Sequence, residues 1–191
     1  MHANHNRQLV FAALCTALGI VLPIVLHVIP NAGNTLLPMH IPVLLCGFLC
    51  AWPYALLCGI ATPVLSCLLT SMPTFVDLPA MTVELALYGI VPALILPLLP
   101  IQKRFAPQSA QKPSTPKQAA HIYAALIAAM ISGRLAYGLV NAFIFKTGAY
   151  SFRIWMTASF VTALPGILAQ LALIPLLVMA LQKIGIARDS N

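Results

Sequence analysis

The chain has almost no acid. Among its 191 residues only Asp77, Glu84 and Asp189 are acidic, against ten Lys and Arg, and charged residues make up 7% of the total. A soluble domain carries roughly 25% charged residues. Three carboxylates are too few for a carboxylate metal cage or an extended proton relay. No Walker A loop and no His-Glu-x-x-His pattern occurs, so neither P-loop ATP hydrolysis nor zincin chemistry is expected. No CxxC pair occurs either. Cys15, Cys46, Cys50, Cys58 and Cys67 all lie inside apolar runs and read as small packing residues. Cys46 and Cys50, four apart on one helix face, are the pair that could present two thiols to a metal or corrinoid. No internal repeat of the secondary-transporter kind is visible. The first apolar run, 9–29, ends in Val28-Ile29-Pro30 without a small-residue cleavage pattern. It reads as a span, not as a removable signal.

What fills the chain is apolar. Hydrophobic residues reach 61% and mean hydropathy is +0.95, against roughly 45–50% apolar in soluble domains. No water-soluble fold hides that much apolar surface, so the bilayer must act as solvent. Backbone polar groups in lipid leave only helices or a closed barrel. Barrel strands alternate apolar and polar residues, whereas these runs are continuously apolar. The fold class expected is therefore all-α integral membrane, one domain over 1–191. The spans expected are 9–29, 36–51, 54–70, 78–99, 119–145 and 152–182. A linker at 101–118, rich in Pro, Ser, Gln and Lys, separates the first four from the last two.

Six spans put both termini on one side. With the termini inside, Arg7, Lys103, Arg104, Lys112, Lys117, Lys183 and Arg188 are inner, and only Lys146 and Arg153 are outer. This asymmetry follows the positive-inside rule. It predicts N-in and C-in, with the 101–118 linker in the cytoplasm. It also accounts for the net charge of +7 without a nucleic-acid partner.

Ionisable residues inside a membrane are costly and mark function. Glu84 falls in the fourth span, Arg134 in the fifth, and His27 near the outer end of the first. Glu84 lies about 9 Å and Arg134 about 16 Å below the outer ends of their spans, at 1.5 Å rise per residue. The long arginine stem brings a Glu84–Arg134 pair within reach. Such a pair is either a lock between two helices or the polar wall of a ligand pocket. Arg134, Tyr137 and Asn141 share one helix face, as do Glu84 and Tyr88. His40, at the outer start of span two, is a helix-end hydrogen-bonder or a ligand contact. Asn34 is a candidate lid residue. Trp155 is a pocket residue or a belt anchor. Gln170, deep in span six, reads as a bond to a neighbouring helix. Ala13 and Ala17 form Ala-x-x-x-Ala, a spacing that permits close helix approach.

The stretch from Leu36 to Phe48, with Leu37-Pro38-Met39-His40-Ile41-Pro42, resembles one found in substrate-binding (S) components of energy-coupling factor (ECF) transporters. The similarity continues through Thr62-Pro63-Val64-Leu65-Ser66, Glu84-Leu85-Ala86-Leu87-Tyr88-Gly89, Ser132-Gly133-Arg134 and Ala163-Leu164-Pro165-Gly166. It covers about 9–182. Trp52 stands where that pattern would have glycine, and the 101–118 linker is longer than expected. The resemblance implies a six-helix subunit of the bacterial plasma (inner) membrane that captures a vitamin or related micronutrient from outside. It implies partners: a transmembrane scaffold subunit and two ATPase subunits that use the ATP, with no cofactor in this chain. It places Glu84, Tyr88, Arg134, Tyr137 and Asn141 in the pocket, and Ala13 and Ala17 at the scaffold-docking face. A charged pair beside aromatic rings suits a polar ring compound, pyridoxine-like or a thiamine precursor.

Two other classes remain open. A ligand-free membrane scaffold or morphogenesis protein of similar fold would bind no vitamin stoichiometrically. An intramembrane enzyme would need Ser66 or Cys67 as nucleophile with His40, and no base–nucleophile spacing supports it. No catalytic residue and no metal site is expected.

Overall fold

The computed structural model describes residues 2–26, 35–98, 116–144, 155 and 157–183. These hold six α-helices: α1 (His2–Leu26), α2 (His40–Leu49), α3 (Trp52–Thr70), α4 (Leu78–Leu98), α5 (Pro116–Ile144) and α6 (Leu164–Lys183). A π-helical segment, Thr157–Thr162, precedes α6. No strand occurs among the described residues. Five helices are long and apolar enough to cross a membrane, and α2 is the exception.

The second helix is shorter than the 36–51 span expected. Leu37 takes a φ of 50° and the chain turns through Pro38 and Met39. Proline disfavours helical backbone in the residue before it, so the helix starts only at His40. Pro42 is tolerated in the first turn, where its missing N–H costs no bond. The ten residues of α2 rise about 15 Å, half of a hydrocarbon core of about 30 Å.

The sixth span is also divided. The reading of one helix over 152–182 gives way to the π segment, a turn at Ala163, and α6 from Leu164. Pro165 has no N–H to bond back and crowds the preceding turn. The ladder restarts with Ile167 N–H donating to the Ala163 carbonyl at 2.9 Å. At the other boundaries α1 opens ahead of residue 9 and is described as far as Leu26, and α5 is described from Pro116, inside the expected linker. Residues 101–115 lie outside the described residues.

Local chemistry sets the remaining helix ends. Asp77 precedes α4: its carbonyl accepts from Met81 N–H at 3.0 Å, and its carboxylate accepts from the Thr74 hydroxyl at 2.8 Å. A carboxylate is favoured at a helix N-terminus. Pro53 occupies the first turn of α3, where proline is pre-organised. Gln8 of α1 accepts from Ala51 N–H at 2.8 Å, an acceptor that Ala51 cannot supply itself. The Tyr54 hydroxyl and His5 Nδ1 tie the same end of α1 to α3.

Paired contacts give the helix directions. Gly59 of α3 meets Leu85 of α4, while Gly89 of α4 meets Ala55 of α3, so these two run antiparallel. His40 of α2 faces Glu84, and Gly47 faces Tyr88 and Gly89, so α2 runs with α4. On α1, Gln8, Thr16 and Gly19 meet Ala51, Cys58 and Thr62 in that order, so α1 runs with α3. Direction therefore alternates from α1 through α4, as in a chain that crosses one slab repeatedly.

α4 is the central helix, with α2, α3 and α5 against it. Added Cβ atoms at Gly47 and Gly59 would stand 2.6 Å and 2.5 Å from carbonyl oxygens of α4. Only glycine lets those backbones meet. In lipid, where apolar surface has no water to escape, such close packing is what holds helices together. The outward surface is apolar: Leu9, Val10, Leu14, Leu18, Val21, Ile24 and Val25 are all exposed on α1. In water a patch of that size would mark an interface or drive aggregation; against acyl chains it is at rest. All five cysteines are free and buried.

Candidate functional site

α4 carries Glu84 and Tyr88 one turn apart, facing α2 and α5. Arg134 reaches Glu84 from α5, with Nη1 3.2 Å from Oε1. His40, the first residue of α2, comes from the other side, with Nε2 3.6 Å from Glu84 Oε2. That separation is beyond hydrogen-bond length. The His40 and Tyr88 rings meet edge to face at 5.2 Å between centroids. Glu84 is 1% exposed and Arg134 6%.

Small residues make the arrangement possible. Gly133, next to Arg134, leaves the space that the Tyr88 ring fills; a Cβ there would overlap the ring. Gly138, one turn on, lies under the indole of Trp155. Trp155 Nε1 donates to the Arg134 carbonyl at 3.3 Å. Trp155 thus covers the α5 turn that bears Arg134.

The cluster is richer in polar atoms than in hydrogen bonds. Among the described residues, both His40 ring nitrogens, the Tyr88 hydroxyl, Arg134 Nε and Nη2, and Glu84 Oε1 are buried without a hydrogen-bond partner. Oε1 has the charge of Arg134 beside it but not an aligned N–H. Buried polar groups in native proteins are overwhelmingly paired, and each orphan costs about 1–3 kcal/mol. Several around one carboxylate make a site with donors to spare.

Of the residues expected in the site, the structure brings together His40, Glu84, Tyr88 and Arg134, with Trp155 above. Asn141 is buried, but its Nδ2 donates at 3.0 Å to the Tyr137 carbonyl one turn back on α5. That amide donor is spent on its own helix. Tyr137 is half-buried. Asn34 and His27 lie outside the described residues. Ala13 and Ala17 are both exposed on α1, away from this cluster. Gln170 of α6, read as a bond to a neighbouring helix, is fully buried with neither Oε1 nor Nε2 bonded. Among the described residues no group of three or more His, Cys, Asp or Glu is placed to hold a metal ion. The Cys46 thiol has those of Cys15, Cys50 and Cys58 beside it.

Five helices long and apolar enough to cross a membrane, with a polar cluster buried among α2, α4 and α5, define a class: a multi-pass membrane protein with an internal polar site. The comparison with protein families is more particular. A family model described as ECF transporter, substrate-specific component, matches residues 7–186. The chain belongs to that family. No curated protein and no solved structure matches it.

Proposed function

We propose that this chain is the substrate-binding subunit of an ECF-type importer of the bacterial plasma membrane. It takes a vitamin or related micronutrient from outside and delivers it through a scaffold subunit driven by two ATPase subunits. The chain crosses the membrane six times with both termini in the cytoplasm. The alternation of α1 to α4 supports this, together with the inner excess of Lys and Arg. In this reading α2 and the turn before it make the second crossing.

The observation that carries the reading is the set of unpaired donors around Glu84. A lock between helices needs the Glu84–Arg134 contact and nothing more. It does not need Arg134 Nε and Nη2, the Tyr88 hydroxyl and both His40 nitrogens buried and unbonded. A polar ligand entering from the end where His40 and Trp155 sit would satisfy them. Tyr137, Asn141 and Asn34 would extend the pocket outward. Ala13 and Ala17, exposed on α1, would meet the scaffold.

The test is mass spectrometry of small molecules that co-purify with the protein in mild detergent, followed by calorimetry with a vitamin panel that includes pyridoxine and thiamine precursors. One stoichiometric ligand is expected. No co-purifying compound and no binding across the panel would leave the ligand-free scaffold as the better reading.

A further inference from the structure

Four of the five cysteines converge. Cys15 comes from α1, Cys46 and Cys50 from α2, and Cys58 from α3, and the Cys46 thiol has the other three beside it. None of the four is more than 1% exposed. α1 packs on both α2 and α3, and α2 packs on α3. Cysteines used only as small packing residues have no need to gather around one of their number. Cys67 stands apart: it lies nine residues beyond Cys58 on α3, roughly 13 Å along the helix.

The cluster is separate from the site around Glu84. Cys46 follows His40 by six residues on α2, about 9 Å along its axis. Beyond it the Cys50 thiol donates to the Gln8 carbonyl at 3.9 Å, and Ala51 N–H donates to Gln8 Oε1 at 2.8 Å. Gln8 and Ala51 are both partly exposed, so the cluster lies just inside that end of the bundle. Among the described residues no group of three or more such side chains is placed to hold a metal ion. What neighbouring thiols do without a metal is join.

Local contacts select the pair. Cys50 is one turn beyond Cys46 on the same helix, so their Cβ bonds point the same way, and its thiol is turned to Gln8. The Cys58 sulfur has the Thr16 hydroxyl at 3.4 Å and the Thr62 hydroxyl at 3.8 Å. Cys15 is left as the neighbour on a different helix.

We propose that Cys15 and Cys46 form a reversible redox lock between α1 and α2. Both are free thiols in the reduced protein. A peroxide oxidises the Cys46 thiol to a sulfenic acid and releases one water. The Cys15 sulfur then attacks the Cys46 sulfur: the S–S bond forms, the S–O bond breaks and a second water leaves. Two electrons have passed from the thiols to the peroxide. A small dithiol restores both thiols by exchange. Closing the loop from residue 15 to residue 46 restricts the unfolded chain, so the oxidised form is the more stable one. The lock involves no ligand, and it stands or falls independently of the substrate-binding reading.

The test is treatment of the purified, reduced full chain in mild detergent with hydrogen peroxide. Remaining thiols are alkylated, peptic peptides are mapped by mass spectrometry, and thermal unfolding is followed. A peptide pair joined through Cys15 and Cys46 is expected. The unfolding midpoint should rise by about 5–10 °C, and dithiothreitol should reverse both changes. Cys15→Ala and Cys46→Ala should show neither change, and Cys67→Ala should show both. No cross-link in the unaltered chain, a cross-link from Cys46 to Cys50 or Cys58 instead, or a Cys15–Cys46 link that leaves the midpoint unmoved overturns the proposal. These three outcomes are read on the unaltered protein and do not depend on how any variant folds.

Discussion

Arg134 Nη1 lies 3.2 Å from Glu84 Oε1 across the α4–α5 contact, with both side chains almost wholly buried. Neither residue can lose the other cheaply. Glu84→Ala or Arg134→Ala should each destabilise the protein by about 3–5 kcal/mol, the usual cost of stranding a buried charge. Replacing both by apolar residues of similar size, Glu84→Leu with Arg134→Met, should recover most of that loss. Thermal unfolding in detergent reads the stability and calorimetry reads the ligand. Substrate binding should be lost in all three variants; a double variant that binds like the parent would reduce the pair to a helix lock.

Gly59 tests the packing of α3 on α4. A Cβ there would stand 2.5 Å from the Leu85 carbonyl oxygen and 2.9 Å from Ala86 Cα. Both are backbone of α4 and cannot rotate away. Gly59→Ala should cost about 1–3 kcal/mol, as overpacking does. It should also disturb Glu84, the residue immediately before Leu85. An unchanged melting temperature would show that the α3–α4 approach is looser than this.

The two tryptophans report on opposite ends of the bundle. Trp155 lies over Gly138 and bonds the Arg134 carbonyl, whereas Trp52 opens α3 at the far end from Glu84 and is half exposed. In Trp52→Phe, substrate should change the remaining emission. In Trp155→Phe, emission from Trp52 should stay flat. A response from Trp52 alone would move the site away from Trp155.

The docking proposal separates from the pocket proposal. Ala13 and Ala17 are exposed on α1. Ala13→Leu with Ala17→Leu keeps the helix apolar and lipid-compatible. The variant should fold and bind substrate as the parent does, yet fail to co-purify with the scaffold subunit. Retained co-purification would place docking on another face.

Much of the fold was legible because the bilayer imposes a coarse rule. Continuous apolar runs of about 20 residues have few structural outcomes, and five helices are long and apolar enough to cross a membrane. The two interrupted spans involve proline. Pro38 cut the second helix back to His40, and Pro165 split the sixth into a π segment and α6. Hydropathy counts apolar residues but does not register where a missing N–H breaks the ladder. The site was legible in part for a different reason. Glu84 and Arg134 stand out wherever charge is scarce, and Tyr88 follows by helical spacing.

By itself the sequence determined the solvent, the helical class and the residues too costly to bury without purpose. Those follow from transfer energies, which depend on residue type and barely on neighbours. Only the tertiary structure decided which of them meet. It set His40 beside Glu84 and Tyr88, turned Asn141 back on its own helix, and left the amide of Gln170 unbonded. These outcomes depend on helix register and on how closely Gly47, Gly59 and Gly133 let the backbones approach. Contacts between distant segments are set by that geometry, and no local pattern in the chain encodes it.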